Sequence, residues 1–246
     1  ESGDNFASWN WKAGGSASSN SSGDITSSVS VDTTAGFSIV SYTGNGSSGA
    51  TVGHSLSAKP GLMIIKNRDE SDSWQVYHHK NTSAPATETL QLNETGATSD
   101  TSNRWNDTEP TTTLFTLGDN PTVNKNTIKY IGYIFAEKIG YSKFGSYIGN
   151  GNADGTFVFC GFKPAFVMVK PTTTADNWVM FDNKRHNAIN SSTAPYQFYA
   201  NKNFAETTDT KQLDFLSNGF KIRNSGNTIN RTSTFVYMAF AESPFV

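Results

Sequence analysis

The sequence predicts an all-β fold: two tandem, pseudo-repeated β-sandwich units, jelly-roll-like, of about 105 residues each, with an extra N-terminal strand. Three observations predict it. Apolar runs of four to eight residues recur between clusters of Gly, Asn, Asp, Ser and Pro, and no segment keeps a 3.6-residue apolar stripe for three turns. Ser (29), Thr (29) and Asn (24) make up a third of the 246 residues, yet Phe (17), Tyr (9) and Trp (5) supply the rings of a folded core. Finally, the chain repeats itself.

The repeat has ordered landmarks. Tyr42 matches Tyr147, Gly44-Asn45-Gly46 matches Gly149-Asn150-Gly151, and Lys59-Pro60 matches Lys163-Pro164. Lys66 with Lys170 and Trp74 with Trp178 follow, and Phe135-Ala136-Glu137 matches Phe240-Ala241-Glu242. The division is residues 1–36, an aromatic strand plus a Ser/Gly-rich linker; 37–140, the first unit; and 141–246, the second.

Taken in order, residues 6–11 place rings like the last strand of each unit, and three aromatics there need a sheet of this chain or of a neighbouring subunit. Residues 13–34, rich in Ser and Gly, read as linker or a weakly structured extension. The first unit is expected to hold strands at 37–42, 51–54, 62–66, 74–78, 90–92, 114–117 and 129–136. The second is expected to hold them at 144–148, 157–160, 166–170, 178–182, 197–199, 220–222 and 234–241, with 213–216 at most a helical turn. Runs 62–65 and 166–169 are apolar on both faces, the pattern of strands covered on both sides. Trp74 and Trp178 read as core rings of their own sandwiches.

Composition excludes several classes. Nineteen Lys+Arg against 21 Asp+Glu, with no basic block, argue against nucleic acid as a partner. No run approaches the ~18 apolar residues of a membrane helix, so no membrane insertion is expected. Cys160, the one cysteine, rules out an internal disulfide and reads as a buried thiol. The first residues lack a charged-then-apolar leader, which reads as a processed chain or a piece of a longer one.

The tempting motifs reduce to structure. Gly44-Asn-Gly46-Ser-Ser-Gly49 spells a dinucleotide fingerprint, but it leads into a strand and not a helix, so a turn with Gly at positive φ is expected. His78 and His79 are neighbours on a strand and do not suit one metal. Asp69-Glu70-Ser-Asp72 offers oxygen ligands for calcium without EF-hand spacing, and surface acidity is the default. No cofactor and no metal is assigned. Trp105 sits in a polar loop without a counterpart, so recognition is expected in the unequal loops: 93–110 with Arg104, Trp105 and Asp107, and 183–195 with Arg185 and His186. Titratable positions diverge between the units, His78 against Asp182 and His79 against Asn183, which argues against a catalytic site built on the shared scaffold.

The residues also carry a resemblance. Trp9-Asn-Trp11-Lys-Ala-Gly-Gly, Gly36-Phe-Ser-Ile-Val-Ser-Tyr42, Lys59-Pro60-Gly-Leu-Met-Ile-Ile-Lys66, Gly140-Tyr-Ser-Lys-Phe-Gly-Ser-Tyr147, Gly161-Phe-Lys-Pro164 and Ala239-Phe-Ala-Glu-Ser-Pro-Phe245 occur together here. In combination they resemble a repeat domain of large virion proteins of marine bacteriophages, often found beside concanavalin-like lectin modules. The resemblance covers nearly the whole chain and brings no known site residues. It implies a tail-fibre-type appendage at the virion surface, partnered with other virion subunits as a homo-oligomer, a trimer being favoured. It leaves open host attachment through a surface glycan, a purely structural spacer or oligomerisation role, and, more distantly, a polysaccharide depolymerase.

Overall fold

In the computed structural model, residues 7–185, 196–208 and 212–243 are described, and the fold is all-β, with 41% strand and 6% helix. The first half holds β1 (Ser18–Asn20), β2 (Ser27–Asp32), β3 (Phe37–Thr43), β4 (Ala50–Gly53), β5 (Leu62–Asn67), β6 (Gln75–His78), β7 (Glu88–Gln91), β8 (Ser99–Asp100), β9 (Leu114–Leu117) and β10 (Lys129–Phe135). The second holds β11 (Ser142–Ile148), β12 (Phe157–Phe159), β13 (Pro164–Pro171), β14 (Val179–Asp182), β15 (Tyr196–Tyr199), β16 (Thr207–Thr208), β17 (Leu213–Leu216), β18 (Gly219–Ile222) and β19 (Thr234–Ala241).

Each half builds a large and a small antiparallel sheet. In the first, the order β1-β2-β3-β10-β5-β6-β7-β8 lies across from β4-β9. Period-2 alternation sends Val40, Ile65 and Ile134 inward to meet Val52, Phe115 and Leu117 of the small sheet. In the second, β11-β19-β13-β14-β15-β16 faces β12-β18-β17, and Val167, Val169 and Phe235 meet Val158, Phe220 and Ile222.

A third apolar layer joins the halves. The outer faces of the two large sheets meet along a seam, Leu62, Ile64 and Phe135 against Phe166, Met168, Met238 and Phe240. This explains the doubly apolar runs. Met63 and Ile65 fill the first core while Leu62 and Ile64 fill the seam; Val167 and Val169 fill the second core while Phe166 and Met168 fill the seam. The layers therefore run small, large, large, small.

Matched positions make matched bonds. The Tyr42 hydroxyl donates to Val123 O and the Tyr147 hydroxyl to Ile229 O, both at 2.7 Å. Buried Asn124 and Asn230, in one-turn helices α2 (Pro121–Asn124) and α3 (Asn227–Asn230), accept the amides of Asn45 and Asn150 at 3.0 Å. Gly46 (φ +72°) and Gly151 (φ +66°) supply the left-handed residues of these loops.

Several expectations need correction. Residues 13–34 are not a linker: β1 and β2 extend the large sheet, and Ile25 and Val29 are buried. The Ser-Val-Ser-Val alternation of β2 is the signal, diluted by its serines. No strand forms within residues 7–14; their rings are held by side-chain packing instead. Residues 213–216 are a strand, with Leu213 and Phe215 in the core. Trp74 and Trp178 are seam residues: Trp178 donates across it to Gln91 O at 2.8 Å, and Trp74 stacks on Tyr133.

Candidate functional site

The seam does not close everywhere. Strand alternation aims Ile39, Ile64 and Tyr133 from one sheet at Met168, Met180 and Met238 from the other, and an apolar cleft of about 410 Å³ remains between them. The N-terminal segment straps it. Trp11 meets Phe135, Phe166 and Phe240 edge-on, with centroids at 6.2, 5.8 and 5.3 Å, and Trp9 meets Phe166 and Phe198 at 5.8 and 6.0 Å. Three flexible thioethers make this wall adaptable in shape.

Trp9 also borders a second pocket, of about 360 Å³, where the apolar Phe166 and Ala165 meet Asp182, Asn183, Lys184 and Arg185. The Arg185 guanidinium lies 5.5 Å from the Trp9 ring and 4.5 Å from that of Phe198. Its Nε donates to Asp182 Oδ2 at 2.5 Å and its Nη1 to Glu206 Oε2 at 3.0 Å, while Nη2 is buried with no hydrogen-bond partner among the described residues. Trp9 Nε1 donates to Asp182 Oδ2 at 3.3 Å. Burial alone would raise the Asp182 carboxyl, but the amide and guanidinium of Arg185 outweigh it and hold the carboxyl below its usual range. An acid held ionised suits charge recognition and not proton donation.

The expected loop constellation is not assembled. Trp105 is fully buried: helix α1 (Ser102–Trp105) turns its ring into the first core against Tyr77, and Nε1 donates to Glu88 O at 3.0 Å. Burying the largest side chain outweighs a polar sequence context. Arg104 is turned to Gln75 Oε1 (3.2 Å) and Asn103 Oδ1 (2.5 Å). Asp107 alone stays exposed, at φ +47°. His186 lies outside the described residues. Only Arg185 joins a cluster, against the rings of Phe198 and Trp9. The aromatic spacing of residues 6–11 marks those rings for packing, and nothing in it points to Arg185.

The other perturbed groups serve packing. His78 Nε2 lies 3.1 Å from Tyr237 O and His79 Nε2 2.6 Å from Phe144 O, so both rings cross the seam to the second half. Burial pushes His78 down to about 3 and His54 to about 4, and pushes the Cys160 thiol up to about 12, so all three are neutral at pH 7. Buried Lys170 donates to Thr95 O and Pro171 O, at 3.3 and 2.9 Å. Asp69 accepts the Lys129 amide at the start of β10 and Asp72 the Asn67 side chain within the turn, so both carboxylates are engaged. Among the described residues, no three His, Cys, Asp or Glu side chains are placed to hold a metal ion.

A family model described as a domain of unknown function, DUF7483, matches residues 1–244. The chain belongs to the DUF7483 family. No match was found among curated proteins or among solved structures. In this DUF7483 chain the features that single out a site are therefore physical ones: the strapped apolar cleft and the Arg185 pocket beside it.

Proposed function

We propose that this DUF7483 chain is a non-enzymatic structural module, a rigid two-sandwich spacer in an exposed assembly of the virion-appendage type. One observation carries the reading: the halves are sutured face to face by a broad apolar seam, with His78, His79, Lys170 and Trp178 bonding across it. Two domains joined so broadly move as one body. Burial of Trp105 supports the same reading, because it leaves loop 93–110 with polar side chains and no stacking platform. The test is deletion of this domain from the particle that carries it, followed by imaging. A shortened or lost appendage is expected; an appendage of unchanged length and number would sink the reading.

A second reading, attachment to a host glycan, is favoured by the pocket at Trp9, where the exposed Lys184 offers a donor beside an aromatic ring. Glycan-array binding by the purified chain, abolished in Trp9→Ala, is what that reading requires.

A further inference from the structure

The two halves treat one edge differently. In the first half, the open side of the sandwich between β3 and β4 is closed by the preceding chain. β2 pairs with residues 37–42 of β3, Ile25 bridges Val52 of β4, and Asp24 bonds the amide and hydroxyl of Thr51 at 3.0 and 2.7 Å. Gly53 is a glycine for the same reason: a Cβ there would lie 2.3 Å from Asn20 Oδ1.

In the second half the corresponding edge, β11 with β12, has no such cover among the described residues. Only residues 136–141 separate β10 from β11, too few to form a covering hairpin. Val158 is buried in the small sheet as Val52 is, so Phe157 and Phe159 stand where the first half has Thr51 and Gly53. They are 42% and 62% exposed. With Ile148, 66% exposed, they supply three of the five large apolar side chains exposed among the described residues, and all three line one groove of about 530 Å³.

The backbone of this edge is also open. Ile222 N donates to Thr156 O at 3.0 Å and Cys160 N to Asn218 O at 2.9 Å, so Thr156, Val158 and Cys160 face β18. Strand alternation then points the N–H and C=O groups of Phe157 and Phe159 away from the sheet. Charge at the rim is spent internally: Asp154 pairs with Lys221 (2.7 Å) and Arg223 (3.7 Å), and Lys143 with Glu137 (3.4 Å). On β11, Phe144 is capped by His79 and Glu137, which leaves β12 as the free edge.

We propose that β12 is a homotypic docking edge for a second copy of this chain. Two copies pair Phe157–Phe159 antiparallel about a two-fold axis at Val158, so that Phe157 of each lies opposite Phe159 of the partner subunit. The two three-stranded sheets become one six-stranded sheet, and the aromatic pairs and Ile148 lose water together. The partner fits because the surface is apolar with every rim charge balanced, so an identical surface brings apolar area and no like-charge conflict. The covering segment of the first half cannot serve in trans without uncovering its own sandwich, whereas edge-to-edge pairing leaves nothing unsatisfied. The contact is independent of the virion reading.

Sedimentation equilibrium of the purified chain across the micromolar range tests it. A reversible dimer is expected. The double variant Phe157→Thr/Phe159→Gly, which restores the first-half residues, should raise the dissociation constant at least about thirtyfold. It should keep the circular-dichroism spectrum and melting temperature of its own monomer, since both rings are exposed. Concentration-dependent hydrogen-exchange protection of the Phe157 and Phe159 amides is the second readout. A monomer throughout, a trimer, or a dimer that survives the double variant with these amides unprotected would overturn the proposal.

Discussion

The two sandwich cores and the seam between them are built from the same strands but packed to different standards. In the cores, Val52, Phe115, Val169, Phe220 and Phe235 show no exposure, and the layers interdigitate. In the seam, Trp9, Trp11, Trp74, Tyr133 and Met180 are only partly buried, and a cleft of about 410 Å³ persists. Each core joins a large sheet to a small one within one half of the chain. The seam must accommodate two pre-formed, twisted sheet faces, and Met and Trp fill what the mismatch leaves. Close packing within each half defines the fold, and looser packing between halves fixes them as one body.

That contrast can be broken by mutation. Phe115→Ala and Phe220→Ala, one per core, should each cost about 3–5 kcal/mol in denaturant unfolding, because neither site can collapse. Met238→Ala, beside the existing cleft, should cost at most about 2 kcal/mol, since its neighbours already have room. Equal losses at all three would show that the seam is packed as tightly as the cores.

Acid should act next. His78 bridges the seam and His54 sits in the first half, with folded values near 3 and 4 against about 6.5 unfolded. The unfolded chain therefore binds more protons below pH 6.5, so stability falls as pH drops from about 6.5 toward 4, by about 3 kcal/mol for each histidine. His78→Asn should flatten that slope by more than half, as read from melting temperature against pH. An unchanged slope would remove the seam histidine as its source.

Smaller effects sharpen the comparison. Tyr42→Phe and Tyr147→Phe each strand a buried carbonyl and should cost about 1 kcal/mol, equally in the two halves. Unequal costs would mean that matched bonds do not mean matched environments. Met180→Phe, growing into the cleft, should stabilise by at most ~1 kcal/mol.

Much of the fold was legible because the large-sheet strands obey strong periodicities. Residues 114–117 and 234–241 are strands as read, and the doubly apolar runs 62–65 and 166–169 announced cover on both faces before any seam was known. What failed was weak signal. β2 carries two valines among serines, and β8 and β16 are two residues long. The site was less legible. Trp105 looked like a loop residue because its neighbours are polar, yet a single helical turn was enough to bury it. Arg185 was found in sequence, but its partnership with Trp9 spans a distance that no local pattern encodes.

The doubly covered strands have a consequence for synthesis on the ribosome. By the time β10 has emerged, the first sandwich can close, yet Phe37, Leu62, Ile64 and Phe135 still face outward, awaiting the second half. About 110 residues remain, which at typical elongation rates leaves that apolar sheet face bare for roughly 5–20 s. The nascent chain must therefore pass through a folded but adhesive half-molecule. Residues 7–140 expressed alone should be trapped there, folded by circular dichroism and aggregating through the face that the second half normally covers.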